Sequence, residues 1–287
     1  MKLVGIMPVR NEAWVLGCSA RIALKWCDHL IVLAHACADG SIRLLQQIGE
    51  QILRERSDKV ITIQFDDSPG WPEMQQRQRL LGGARSFGAT HIALIDADEV
   101  LTADSLPRVR GAIEALRPGE ALHVSMTCMW RSLVHYRVDR GLWANRRDLT
   151  LAFCDDPRLG WKLEGYDHHH RAPWGAKGGV DRPDLRVMHL QWVGWRRLVA
   201  KHARYKMLER IKYPAKPVAE IDTIYSLALD ERNLKLDRAP EAWWRGYEAE
   251  RALIDVDAEP WQESECKRLI DEHGADYFKG LDLFGVV

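Results

Sequence analysis

Four short apolar runs punctuate the first hundred residues: Leu3–Met7, Leu30–Ala34, Val60–Phe65 and Ile92–Ile95. Each is too short for a buried helix and long enough for a strand covered on both faces. The intervals between them carry helical apolar patterns. Trp14, Val15, Cys18, Ile22 and Leu24–Trp26 mark the first helix, with Asn11 as its expected N-cap. Ile42, Leu45, Ile48, Ile52 and Leu53 are expected to point inward from the second. Glu73–Phe87 reads as the third, with Met74, Arg77, Leu80, Leu81 and Ala84 near one face. Pro8 is expected to stop the first strand, and Asp66–Gly70 has strong breaker chemistry. Strand, helix, strand, helix, strand, helix, strand is the signature of an α/β chain. Right-handed crossovers then give a mostly parallel central sheet flanked by helices.

The fourth run delivers three carboxylates at once, within Thr90–Leu101: Asp96, Asp98 and Glu99. Three acids at a strand end repel one another unless a cation or a partner compensates them. In an open α/β sheet the carboxyl ends of the strands are where ligands bind. The motif alone is consistent with a metal and phosphate station and equally with a solvated acidic turn.

Beyond residue 100 the pattern changes. Asp104–Leu116 reads as a helix stopped by Pro118-Gly119, Leu122–Met129 and Leu149–Cys154 as strands, and Gly160–Val180 as irregular. Arg186–Leu190 reads as a short strand, Trp192–Tyr213 as a long helix, and Ala219–Val287 as helical segments. Nine of the twelve tryptophans lie at Trp130 or later, where most are expected in the core. An aromatic ring can also pack on the apolar face of a bound ligand such as a sugar.

Lys+Arg and Asp+Glu are both 41, so the formal charge is 41 − 41 = 0, and nothing global points to nucleic acid. The six cysteines show no CxxC pair and read as reduced thiols of a cytoplasmic protein. The apolar stretch at the N-terminus is too short for a signal peptide, and no run is long enough to span a membrane.

Four segments in order resemble the inverting glycosyltransferases of family 2, with the GT-A fold. They are Pro8-Val9-Arg10-Asn11-Glu12, Asp39-Gly40-Ser41, Arg77-Gln78 through Ala84, and Asp96-Ala97-Asp98-Glu99, with Gln78 replacing the usual Asn. The nearest branch has an RNE turn and a DADE metal motif. The resemblance covers roughly Lys2–Glu99 and continues loosely to about Tyr213. It implies a Rossmann-like GT-A sheet with a C-terminal helical extension. The domain would span residues 1–215, with a nucleotide half at 1–100, an acceptor half at 101–215 and the extension at 216–287. It implies transfer of a sugar from a nucleoside-diphosphate donor to a glycan or lipid-linked acceptor, assisted by Mn²⁺ or Mg²⁺.

The resemblance also assigns roles. Pro8, Arg10, Asn11, Glu12, Asp39, Arg77 and Asp96 would surround the nucleotide, and Lys201 and Arg204 would face the diphosphate. Asp98 would ligate the metal, Asp96 would reach the ribose or act through water, and His189 from a later strand would complete the site. The bland alternative for His189 is a hydrogen-bonded core histidine. For Glu99, which would otherwise hold the loop or face the acceptor, it is a surface carboxylate. The acid that usually reads uracil is replaced by Ala34 or His35, which leaves the donor base open. Inversion needs a base for the acceptor hydroxyl. Asp167 is the first candidate and Glu164 the second. In His168-His169-His170 neighbours point to opposite faces, which favours a substrate-touching loop over a zinc set.

Arg196, Arg197, Lys201, Arg204, Lys206, Arg210 and Lys212 share one helix with Glu209 as the lone acid. A solvated face is the ordinary reading of such a run. A basic face resting on the inner surface of a membrane is the functional alternative. Two other classes remain open: a non-catalytic nucleotide- or glycan-binding module, and a nucleotidyltransferase. The second lacks the glycine cluster expected straight after the first strand.

Overall fold

The computed structural model describes residues 1–139, 145–163 and 171–287. They form two compact units. One comprises Met1–Thr127, Arg146–His189 and Pro240–Asp255; the other comprises Cys128–Asn145, Leu190–Ala239 and Val256–Val287, and so takes in residues on both sides of position 215.

The first unit opens with β1 (Leu3–Val9), α1 (Ala13–Trp26), β2 (His29–His35), α2 (Ser41–Arg54), β3 (Val60–Asp66), α3 (Glu73–Ser86) and β4 (His91–Leu94). It continues with β5 (Glu99–Leu101), α4 (Leu106–Glu114) and β6 (Glu120–Cys128). β7 (His135–Arg137) belongs to the second unit, and the first resumes with β8 (Asn145–Cys154) and β9 (Lys177–His189). The second unit adds α5 (Trp195–Lys212), α6 (Val218–Ser226), β10 (Leu236–Arg238) and α8 (Trp261–His273), while α7 (Glu248–Arg251) returns to the first. The fold is α/β, with a mostly parallel central sheet, flanking helices and helices toward the C-terminus.

The main sheet runs β3-β2-β1-β4-β8-β6-β9-β5. β3, β2, β1 and β4 are mutually parallel, whereas β8 runs antiparallel to β4 and β5 antiparallel to β9. Alternation along β1 builds the layers. Leu3, Met7 and Val9 pack with residues of α1, α2 and α4, while Val4 and Ile6 pack with Met74, Leu80, Leu81 and Ala84 of α3. Burying the apolar area of these strands on both faces is the main driving force for the unit.

β1 runs through Pro8 to Val9 instead of stopping at the proline. The carbonyl of Ile6 accepts from the amide of Ile95 on the β4 side. Residues 6 and 8 present their backbone polar groups to the same side, and β4 has ended at Leu94. The missing N–H of Pro8 therefore forfeits no ladder bond.

Other departures have equally local causes. Leu53 is 78% exposed rather than inward, because the apolar face of α2 is filled by Leu45 and Ile48. The expected short strand Arg186–Leu190 is the end of the 13-residue β9, whose first half is mostly exposed and so lacks an apolar pattern. The three-residue strands β5, β7 and β10 are too short to leave a pattern in the sequence.

In the second unit β7 pairs antiparallel with β10. Ala203 and Met207 of α5 pack on Cys266 and Leu269 of α8 and on Phe278. The cations of α5 do not form a solvated face. Lys206 is completely buried and Arg197 nearly so. Arg196 pairs with Glu259 and Glu263 of the same unit. All six cysteines are free thiols. Among the described residues, no helix is long and apolar enough to cross a membrane.

Candidate active site

The parallel order puts the carboxyl ends of β1, β2 and β4 on one edge of the sheet, and two loops are stitched together there. Asn11 follows β1 with φ of 53°, a left-handed conformation that asparagine tolerates better than most residues. It does not cap α1; that position falls to Glu12. Instead Asn11 Oδ1 accepts the amides of Ala38 at 2.7 Å and Asp39 at 3.2 Å. The loop after β2 returns the contact. Asp39 Oδ2 accepts the amide of Ala13 at 2.9 Å, and Ser41 Oγ accepts that of Glu12 at 3.0 Å. The first orphan amides of α1 are thus satisfied by side chains from a different loop. Arg10 donates to the Gly70 carbonyl at 2.9 Å, which ties in the loop after β3.

His35 closes β2 and is fully buried, with Nε2 2.9 Å from the Ser68 carbonyl and its ring edge-on to Trp71. The contact fixes the Asp66–Gly70 loop. Trp71 is 36% exposed and presents an aromatic surface beside these loops.

After β4, two guanidiniums enter the acidic turn. Arg77 of α3 is buried; its Nε donates to Glu73 at 2.9 Å and its Nη2 to Asp96 at 3.1 Å. Arg171 uses every nitrogen. Nε donates to the Thr150 carbonyl at 2.7 Å, Nη1 to Asp96 at 3.0 Å and Glu99 at 2.8 Å, and Nη2 to the Leu94 carbonyl at 2.7 Å and Glu99 at 2.5 Å. Glu99 is nearly fully buried, and its Oε2 also accepts the Asp96 amide at 3.2 Å, so it holds the turn and is not a surface carboxylate.

Burial works against the Asp96 carboxylate, but Arg171 and Arg77 outweigh it and hold its pKa below the usual range. Burial pushes Glu99 upward, with Arg171 pulling back. Its two-pronged pairing with Arg171 has the geometry of a charged carboxylate. Burial alone would lower the pKa of Arg171; Glu99 and Asp96 reverse that and raise it.

Asp98 faces a different partner. β5 and β9 pair so that Glu99 lies opposite His189, the last residue of β9. That register brings His189 Nε2 to 3.4 Å from Asp98 Oδ1. Two donor atoms this close can share one cation. Among the described residues, no group of three His, Cys, Asp or Glu is gathered for a metal. The donor set fits Mg²⁺ or Mn²⁺ in their usual mode, with one or two protein ligands and the remainder from phosphate oxygens and water.

Of the residues read from the sequence, Pro8, Arg10, Asn11, Glu12, His35, Asp39, Arg77, Asp96, Asp98 and His189 belong to the first unit. Lys201 and Arg204 belong to the second. There Lys201 Nζ lies 2.5 Å from Gln191 Oε1, and the Arg204 guanidinium lies over the Trp261 ring. Asp167 and Glu164 lie outside the described residues. Gln78 accepts the Trp161 amide at 2.8 Å and so anchors the chain after β8. Arg171 is the partner of the acidic turn that sequence reasoning misses. Its one signal is electrostatic: three clustered acids demand a counter-ion, but nothing in the sequence says which of the many arginines supplies it.

No family model and no curated protein matches the sequence. Solved structures show a likeness of fold at low identity. The chain is similar to S. aureus TarS, with 12% identity over 97% of this chain and 54% of that one and a TM-score of 0.45; it thus spans about half of TarS. It is also similar to the mannosyltransferase PcManGT from Pyrobaculum calidifontis, solved in complex with GDP-Man and Mn²⁺. That match has 14% identity over 96% of this chain and 81% of the other, with a TM-score of 0.44.

Proposed function

We propose that the chain is a family 2-like inverting glycosyltransferase that moves a sugar from a nucleoside-diphosphate donor to an acceptor hydroxyl. The observation that carries this reading is the Asp98–His189 pair, 3.4 Å apart, beside the stitched loops at the carboxyl ends of parallel strands. Ligand sites of open α/β sheets form at that edge.

The residues divide the work. Asn11, Asp39 and Arg10 shape the loops that receive the nucleoside. Asp96, held charged by Arg77 and Arg171, offers its exposed side to the ribose. Asp98 and His189 would hold a divalent cation, which supplies neutralisation of the charge on the departing diphosphate. The acceptor oxygen attacks the anomeric carbon as the bond to the diphosphate oxygen breaks, and a carboxylate takes the hydroxyl proton. Asp167, then Glu164, is our candidate for that carboxylate. Attack opposite the leaving group inverts the centre.

Calorimetry with UDP, GDP, CDP and ADP, each with and without Mn²⁺, tests the reading. We expect one nucleotide to bind in a Mn²⁺-dependent way, and its sugar conjugate to be hydrolysed slowly without acceptor. No metal-dependent binding of any member would sink it.

A further inference from the structure

Three carboxylates, Glu73, Asp96 and Glu99, meet two guanidiniums at the end of β4, and a fourth, Asp98, stands beside them. Their pairing is unequal. Both oxygens of Asp96 are engaged, Oδ1 by Arg77 and Oδ2 by Arg171. Both oxygens of Glu99 accept from Arg171. Asp98 pairs with a histidine.

We propose that Arg171 sets the ligand count of the cation site. By holding Asp96 and Glu99, it leaves the ion to Asp98 and His189, so that a divalent cation binds firmly only with the donor diphosphate. The proposal rests on the nucleotide-sugar reading above and adds an order to it: cation and diphosphate arrive as a pair.

Arg171 is suited to the task. A guanidinium stays charged at any working pH, so it is a permanent competitor for the two carboxylates. Its bonds to the Leu94 and Thr150 carbonyls fix it to the backbone of β4 and the strand beside it, β8. Swinging away would strand two buried acceptors as well as two carboxylates. A hard cation needs six or more oxygen-type ligands, and its affinity follows the number of charged ligands offered. Two protein ligands are too few to strip its water, and phosphate oxygens make up the difference. Arg171 thus acts as a positioning residue.

The test reads Mn²⁺ binding by the loss of the free-ion paramagnetic resonance signal, so it needs no turnover. Wild-type protein is expected to bind Mn²⁺ alone weakly, and to bind it much more tightly with the preferred nucleoside diphosphate. Arg171→Gln frees both oxygens of Glu99 and one of Asp96 from the guanidinium, and Mn²⁺ alone should then bind roughly tenfold tighter or more. Should circular dichroism show Arg171→Gln unfolded, Arg171→Lys decides. Its single ammonium keeps the charge but cannot fork across two carboxylates, so its affinity for Mn²⁺ alone should also exceed wild type. A folded variant that binds Mn²⁺ alone no better than wild type overturns the proposal. So does a wild type that binds Mn²⁺ equally well with and without nucleotide. Failure of every nucleoside diphosphate to bind would instead sink the functional reading, and the Mn²⁺-alone comparison would still judge Arg171.

Discussion

Asn11 accepts the amide of Asp39 at 3.2 Å, and Asp39 in turn accepts the amide of Ala13, the first residue of the helix that follows Asn11. Each loop thus supplies what the other lacks, and neither is set independently. Asn11→Ala leaves two amides unpaired and forces a Cβ residue without a local hydrogen bond into a left-handed conformation. The first effect costs about 0.5–1.5 kcal/mol, because Ala38 and Asp39 are exposed and water can reach their amides, and the second about 1–2 kcal/mol. Asn11→Gly keeps the conformation and suffers only the first. In urea unfolding, Asn11→Ala should be the less stable of the two, and both should bind nucleotide more weakly than wild type. A glycine variant as stable as wild type would show that the amide bonds contribute nothing.

The turn around Asp98 is braced from its neighbours, by Glu99 on the Asp96 amide and by Arg171 on the Leu94 carbonyl. Asp98 itself is nearly buried against His189. Asp98→Ala should therefore leave the circular dichroism spectrum unchanged and shift the melting temperature little. It should abolish Mn²⁺-dependent nucleotide binding and donor hydrolysis. A variant that binds and turns over normally would remove the central residue of the proposed mechanism.

The parallel half of the sheet is legible because β1, β2 and β4 are buried on both faces and the helices between them have one apolar face. Burial writes a pattern into sequence, and β1, β2 and β4 show it. The exposed first half of β9 writes none. The acidic turn is legible as a demand for positive charge. Its answer is not, because Arg171 lies 75 residues from Asp96 and an ion pair imposes no periodicity. The cations of α5 mislead for a related reason: a charge run looks solvated until the rest of the unit folds over it, as it does over Lys206.

Lys206 is completely buried, with Nζ 2.9 Å from Asp222, 3.1 Å from Ser226 Oγ and 2.8 Å from the Asp282 carbonyl. It also lies over the Phe284 ring. It pins the last residues of the chain to α5 and α6. Lys206→Ala should destabilise the protein by about 3–5 kcal/mol, the cost of breaking a buried pair from one side. Limited proteolysis should then cut first near residues 279–287. Lys206→Met, which fills the space without the charge, also loses the carbonyl contact and should be cut at the same place. An unchanged cleavage pattern in both would show that the tail is held by its apolar contacts alone.

His202 gives the second unit a dependence on pH. It sits on α5, nearly buried, edge-on to Tyr205 and Tyr225. Burial, reinforced by the charge of Lys201, lowers its pKa from 6.5 to about 4. Between these values the unfolded chain takes up a proton that the folded chain refuses. Stability is therefore full above pH 6.5 and falls as the pH drops toward 4. The loss is at most roughly 3 kcal/mol, at about 1.4 kcal/mol for each pH unit between the two values. Urea midpoints measured from pH 7.5 down to 4.5 should show this slope in the wild type. His202→Phe, which keeps the ring and removes the titrating group, should flatten it. An equal slope in the variant would assign the acid sensitivity to other groups.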